Sequence, residues 1–390
     1  MTDSPHPLLP PATPVLDVDG ETLQVGGVDG GPGLRVRPAG PVRTLLDRLD
    51  GRRSERSVRA DATAAGLAGR DVDALLAGLR AAGLLHELSP ADLLAAEPGP
   101  AAGARAASEW PAAVPGPGTA GRWRARRRSA VVVEGASRVG VPLAAVLAAS
   151  GVGRVQVRDH GVAGAADAVV GGTTTEDEGR PRTLAAADAV RRASPLTDLR
   201  PLPAGRAPDL VVLCRPWAAV DPLSAGPHRD GVPHLVAAVR GEVGVVGPLV
   251  VPGVTSCLRC AELWRRDGDP AWPRLAAQLA TAEVPPSGAT VTCLLTAAVA
   301  AVQVLAHLDG DRPATLGATL ELRPPGLVPR SRTWPPHPGC GCGAAGRPGG
   351  GRAGHAPEQA GEHDQEEGLG ARPARGGAST TENWDTGDRE

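Results

Sequence analysis

The stretch from Ala130 to Asp159, AVVVEGASRVGVPLAAVLAASGVGRVQVRD, constrains the fold of this chain more than any other. Val131, Val132 and Val133 form a β-branched run of the kind buried in a parallel strand. The turn GASRVG follows at once, and an apolar helical pattern then runs from Val139 to about Ser150, stopped by Gly151 and Gly153. A second strand pattern, Val155 to Val157, ends at Asp159. Strand, glycine turn, helix and strand within about 30 residues, with an acid about 20 residues past the turn, make a mononucleotide-binding unit.

The positions in this unit have physical roles. Gly135 permits the tight turn, and Gly140 lets the helix pack close to the strand. The helix N-terminus presents N–H groups to a phosphate. Asp159 is placed to accept hydrogen bonds from a ribose. The middle position is Ser137, so a Cβ stands where the backbone of such a loop approaches phosphate most closely. A Rossmann-like α/β fold with a mostly parallel sheet is expected, and either bound nucleotide or a decayed nucleotide site is compatible with it.

At 390 residues the chain has room for two modest domains and linkers. It contains no Lys, Ile, Phe or Tyr, a bias that points to a GC-rich coding sequence, and chemistry that needs a lysine is excluded. A net charge of -2 gives no global basic footprint for nucleic acid. The opening MTDSPHPLLPPATP lacks the charged and apolar regions of a signal peptide. The long apolar run Ala289 to Leu308 carries Gln303, His307 and several Thr without flanking anchors, and reads as a core helix rather than a membrane span. A cytoplasmic protein is expected, and its six cysteines then point to metal or burial rather than disulfides.

Taken in order, residues 1–13 are Pro-rich and read as disordered. Residues 14–88 read as a small winged-helix domain. Strand patterns at Glu21 to Val25 and Leu34 to Arg37 precede three helical patterns. The first carries Leu45, Leu46 and Leu49, and the second begins at Ser54 as N-cap. The third is capped by Asp71 and places Val72, Leu75, Leu76 and Leu79 on one face, and Leu84 to Leu88 reads as a short strand or wing. Winged helices often bind DNA, but arginines and acids balance here, and Asp71 and Asp73 open the helix that would enter the groove.

Residues 89–128 read as a linker, with Trp110 against a neighbour. It ends in Arg122, Arg124, Arg126, Arg127 and Arg128, either a solvated basic approach to the strand or an arginine lent to a phosphate. Residues 129–342 form the Rossmann-like domain. A helix is expected from Pro181 to Ser194, and strands at Asp209 to Cys214, His234 to Val239, Val243 to Val251 and within ATLGATLELR. Residues 261–286 read as a crossover loop and 343–390 as a disordered tail.

Cys257 and Cys260 stand as CLRC, and Cys340 and Cys342 as CGC, each near turn glycines. Two close thiolate pairs suit a tetrahedral structural zinc site that staples the end of the domain to its middle. Cys214 and Cys293 lie in apolar segments and read as inert core thiols.

Together the Rossmann opening, the CxxC, the long apolar helix and the terminal cysteine pair resemble the ThiF/MoeB/HesA family, bacterial relatives of ubiquitin-activating enzymes. The resemblance implies a homodimer that adenylates a small protein's C-terminal carboxylate with Mg-ATP and holds zinc with four cysteines. It places nucleotide-binding roles on Gly135, Ser137, Gly140, Asp159 and Arg182, the last standing where the family has lysine. It places the metal ligands on Cys257, Cys260, Cys340 and Cys342. The family's Asn-x-x-Arg-Gln segment has no counterpart around Ala166 to Gly171, its Mg-binding Asp falls near Pro216, and no cysteine lies in 261–286. No catalytic residue is therefore assigned.

The segments LLDRLDGRRSERSV and VDALLAGLRAAGLL resemble the PqqD-like peptide-recognition element. In that family a leader peptide adds as a strand to the sheet edge, against the third helix. The two-part layout is similar to leader-binding partners of azol(in)e-forming systems, in which a separate YcaO-type enzyme uses ATP. Against this docking reading stand an active adenylyltransferase, with Asp167, Asp177 or Asp221 in the metal role, and a DNA-reading regulator.

Overall fold

The computed structural model describes residues 5–10, 13–27, 33–88, 119–195, 197–215, 217, 225–281, 288–326 and 328–344. The chain separates into Met1–Gly349 and Gly350–Glu390. The second unit lies outside the described residues, as do most of the expected tail and of the 89–128 linker, Trp110 included.

The N-terminal part holds β1 (His6–Leu8), β2 (Val15–Asp17), β3 (Leu23–Gly26), β4 (Gly33–Val36) and β5 (His86–Leu88). Its helices are α1 (Ala39–Leu46), α2 (Glu55–Ala64) and α3 (Gly69–Ala81). They close on a core of their own that includes Leu23, Val25, Leu45, Leu49, Val58, Leu76 and Leu79. Ser54 caps α2 as expected, accepting the Ser57 N–H. Helix α3 starts earlier than Asp71, with Ala68 at the cap position, and buries the expected Val72, Leu75, Leu76 and Leu79. Strands β2, β3 and β4 form an antiparallel meander with β4 as an outer strand.

The reading of residues 1–13 as disordered needs correction. β1 pairs antiparallel with β5, and Leu8 and Leu9 are buried. The partner strand lies far along the chain, so local proline content hides the pairing.

The second core is built on a seven-stranded sheet. Its strands are β6 (Ala130–Glu134), β7 (Arg154–Arg158), β8 (Leu210–Leu213), β9 (His234–Arg240), β10 (Val243–Val250), β11 (Ala318–Leu322) and β12 (Arg330–Thr333). The order is β12-β11-β10-β9-β8-β6-β7. Strands β7, β6, β8 and β9 run parallel and β10 to β12 alternate, so five of the seven point the same way. This is the expected α/β class.

The helices of this part are α4 (Thr119–Arg128), α5 (Gly140–Ala149), α6 (Arg182–Ala193), α7 (Ala225–Arg229), α8 (Leu258–Gly268), α9 (Trp272–Thr281) and α10 (Thr290–Leu308). Strand alternation divides the core. Val131, Val133, Ala237 and Val239 share a cluster with residues of α5 and α10, while Val132, Val236 and Leu213 share one with Leu258 and Leu263 of α8. Helix α10 packs on β9 and β10 through Cys293, Ala297, Ala300 and Val304, as a core helix does.

Two further expectations are corrected. The 261–286 region is helical in α8 and α9 rather than a loop, with 282–287 outside the described residues. The arginines before β6 lie on α4, within the segment read as linker, and two of them serve α10. Arg126 donates to Asp309 from Nε at 2.8 Å and from a terminal nitrogen at 2.5 Å, and also reaches the Ser150 carbonyl. Arg122 grips Asp311 at 2.8 and 2.9 Å. Both carboxylates follow the last turn of α10, far along the chain, which is why composition alone left the arginines looking solvated.

The Arg126–Asp309 pair is almost fully buried, with side chains 8% and 5% exposed. Removing one partner strands the other charge, so Arg126→Ala should cost about 3–5 kcal/mol. Urea unfolding monitored by circular dichroism checks this, and a loss under about 1 kcal/mol would mean the pair is solvated.

Candidate nucleotide loop and metal centre

The loop between β6 and α5 has the backbone the sequence requires. Gly135 sits at φ +112°. A Cβ on Gly140 would stand 2.1 Å from the Gly135 carbonyl oxygen, so the helix can approach the strand only without one. The structure brings Gly135, Ser137, Gly140, Asp159 and Arg182 together beyond the C-terminal ends of β6 and β7, where open α/β sheets bind ligands.

Their polar groups are engaged with one another. Ser137 Oγ donates to the Cys214 carbonyl at 3.0 Å and accepts the N–H groups of Gly140 at 3.1 Å and Val139 at 3.4 Å. Its own carbonyl accepts the Val141 N–H at 3.1 Å. Three amides that open α5 thus end on Ser137, and these are the groups such a helix offers a phosphate.

Asp159 accepts the Ala136 N–H at 2.5 Å and the His160 N–H at 2.6 Å. Arg182 is drawn away from the loop. It donates to Asp167 at 2.8 Å and to the Val162 carbonyl at 2.9 Å, and lies 3.9 Å from Asp159.

Asp167 and Asp177, the alternative metal carboxylates, cap short 3-10 turns. Asp167 accepts the Gly164 N–H, and Asp177 accepts the Thr174 N–H and pairs with Arg180. The Thr174 N–H above all holds the Asp177 carboxyl below its ordinary range. Pro216 and Asp221 lie outside the described residues. A cavity of about 510 Å³ runs along the outer side of β7 and α6, lined in part by Asp159, His160, Thr183 and Leu184.

The cysteines form the second constellation. Cys257 precedes α8 and Cys260 lies in its first turn, while Cys340 and Cys342 approach from the segment after β12. The sulfurs of Cys257 and Cys340, and of Cys260 and Cys342, are 3.6 Å apart, and those of Cys257 and Cys260 are 3.9 Å apart. A tetrahedron with metal–sulfur bonds of about 2.3 Å has edges of about 3.8 Å, so the four thiols fit zinc. Burial raises the Cys257 and Cys340 thiols. Burial also pushes on Cys342, but donors led by the Ala344 N–H outweigh it and hold that thiol down. Cys214 and Cys293 are buried away from the site, as expected of core thiols.

The sequence reading missed His337. Its ring accepts the Gly339 N–H at 3.0 Å through Nδ1, so Nε2 carries the proton and donates to Asp267 at 2.7 Å. The ring meets Trp264 edge-on, and the His337 carbonyl accepts the Cys340 N–H. These contacts fix the segment that carries the second cysteine pair. A histidine three residues before CGC was the available signal.

The sequence profile of the ThiF family matches residues 115–342. No curated protein matches the chain. Among solved structures, the microcin C7 biosynthetic enzyme MccB in complex with N-formylated MccA is similar, with TM-score 0.57 and 16% identity over 86% of this chain and 99% of that one. Escherichia coli MccB with ATP gives the same TM-score of 0.57 and 16% identity, over 86% and 99% of the two chains. PaaA gives 0.52 at 16% identity, over 83% and 98%. At such identity the likeness is one of fold, and it extends beyond residues 115–342.

Replacing one ligand opens the tetrahedron. Cys257→Ser should remove most bound zinc and lower the melting temperature, measured by elemental analysis and calorimetry on the purified protein. Unchanged metal content and melting would exclude a structural zinc role.

Proposed function

The chain belongs to the ThiF family, and from that premise we propose that it is a cytoplasmic precursor-binding partner in ribosomal-peptide maturation whose own adenylation site has lapsed. The observation that carries this reading is the self-engaged loop. A phosphate entering it must displace Ser137 from the N–H groups of Gly140 and Val139. It must also draw Arg182 away from the buried Asp167. Adenylyl transfer needs positive charge free to neutralise the phosphates. Here the arginine in the lysine position is already neutralised.

Peptide capture is assigned to the N-terminal domain. Its outer strand β4 lies against α3, with Leu34 close to Gly78. That edge offers backbone groups to an added strand, which is the PqqD-like mode. The likeness to MccB, solved with MccA, supports a peptide partner. The Rossmann-like part then docks the enzyme that modifies the peptide, a YcaO-type catalyst in azoline chemistry, and zinc holds that part together.

A second reading is favoured by the gathering of all five nucleotide positions at one place and by the likeness to MccB solved with ATP. It is an adenylyltransferase acting on the C-terminal carboxylate of a small protein or peptide.

The test uses a fluorescent precursor peptide encoded beside the gene. Deleting residues 1–88 should abolish binding in an anisotropy titration while zinc content is retained. Undiminished binding by the truncated chain would place recognition outside the N-terminal domain.

A further inference from the structure

Three arginines stand against tryptophan rings on the α8 side of the sheet. Arg240, at the end of β9, alternates with Val236 on that face and lies 4.6 Å from the centre of the Trp217 ring. Arg265 of α8 lies against two rings, 4.5 Å from the centre of Trp334 and 5.5 Å from that of Trp272. Arg332 of β12 shares the Trp334 ring at 4.3 Å.

Arg265 is the anomaly among them. Its side chain is only 17% exposed, and among the described residues its guanidinium meets no hydrogen-bond acceptor. Glu262 comes nearest. One of its oxygens accepts the Trp272 indole N–H at 2.6 Å, and the other stands 3.7 Å from Arg265, too far for a hydrogen bond. Glu321, the other carboxylate acting on Arg265, is gripped by Arg323 at 2.7 Å. Burial pushes the Arg265 guanidinium down from its ordinary range, and the Arg332 charge adds to this while Glu262 opposes it. Burial, and then the Arg265 charge, push Arg240 down to about 10. A guanidinium carries five donors, and keeping them from water without an acceptor is costly. The chemistry calls for an anion.

The neighbouring strand shows what carries it. β12 ends the seven-stranded sheet, and all four of its residues are exposed. Arg332 pairs with Thr319 and Arg330 with Glu321, and the Trp334 N–H bonds the Gly317 carbonyl at 2.7 Å. In that register the backbones of Arg330 and Arg332 face β11, while the N–H and carbonyl groups of Ser331 and Thr333 face outward. The arginine side chains share the face of Thr319, whose hydroxyl accepts the Trp334 indole N–H at 2.9 Å.

We propose that this edge is a docking site for an acidic, extended peptide, which adds as a strand to β12 with carboxylates at alternate positions held by Arg330, Arg332 and Arg265. The proposal rests on the reading that the partner is a peptide, and gives that peptide a second place of contact besides β4. Residues opposite one another on paired strands share a face, so acids two apart meet Arg330 and Arg332 together. Guanidinium and carboxylate match as planar, bidentate partners.

Two observations select this occupant. Charge on an end strand also keeps other edges away, but Arg265 lies under the Trp334 ring, where it guards nothing. Folded proteins cover their own edge strands, so the added strand comes from an unstructured peptide, the β-augmentation mode. Single-stranded nucleic acid needs open aromatic faces for its bases, whereas Trp334 is 4% exposed and two arginines lie against it.

The test is fluorescence anisotropy of the full chain with a labelled octapeptide of alternating Thr and Glu. The wild type should bind it with a dissociation constant below about 100 µM in low salt. Arg332→Gln and Arg330→Gln, at exposed positions that leave circular dichroism unchanged, should each weaken it at least about tenfold. Arg265→Gln should do the same. A peptide of alternating Thr and Lys should not bind, and one with the four Glu in a block should bind more weakly. No binding at about 1 mM protein would overturn the proposal, as would wild-type affinity in Arg332→Gln and Arg330→Gln. Displacement of the probe by about 1 mM inorganic phosphate, or tighter binding of an oligothymidine of equal length, would overturn it by naming a different ligand. The probe contains no leader sequence, so this result and the loss of precursor capture on deleting residues 1–88 fail independently.

Discussion

The approach of α5 to β6 at Gly140 governs the arrangement of the C-terminal half. A side chain there would stand 2.1 Å from the Gly135 carbonyl oxygen, so the helix is held against the strand at a distance only glycine allows. That contact aims the α5 N-terminus at the turn, sets Ser137 beneath it and lets Ala136 reach Asp159. Farther along, α5 packs beside α10, whose C-terminal end is tied to α4 by two arginine–aspartate pairs. The zinc-type cluster fixes the opposite face, where α8 meets the segment after β12.

The same geometry bears on function. A nucleotide loop needs donors that point at empty space until phosphate arrives. In this chain one serine turns those donors inward, and Asp167 holds the one cation in the lysine position. The fold is retained while the electrostatics are closed within the protein. Under the proposed reading, a fold closed in this way presents a peptide to another enzyme rather than transferring a nucleotide itself.

Legibility followed the range of the interactions. The β6–α5–β7 unit was readable because its periods of two and 3.6 and its glycines act within a few residues. The two cysteine pairs were readable as one centre from ligand chemistry. The pairing of β1 with β5 was not, since prolines near the N-terminus masked a partner far along the chain. Nor was the role of Arg126, whose acid lies 183 residues away. The region 261–286 was misread because tryptophan, proline and charge suggested a loop. In fact α8 buries a narrow stripe of Leu258, Ala261 and Leu263. At the nucleotide loop the sequence showed that Ser137 and Arg182 were unusual. Their partners, the Cys214 carbonyl and Asp167, are set by the fold.

The donors of the nucleotide loop are taken up by Ser137, and the arginine in the lysine position by Asp167. Calorimetric titration of the full chain with Mg-ATP tests this closure most directly, because no peptide need be identified. A loop closed in this way gives no saturable heat at ATP concentrations up to about 1 mM, for wild type and Asp159→Ala alike. Micromolar binding by the wild type that vanishes in Asp159→Ala would contradict it and restore adenylation as the working chemistry.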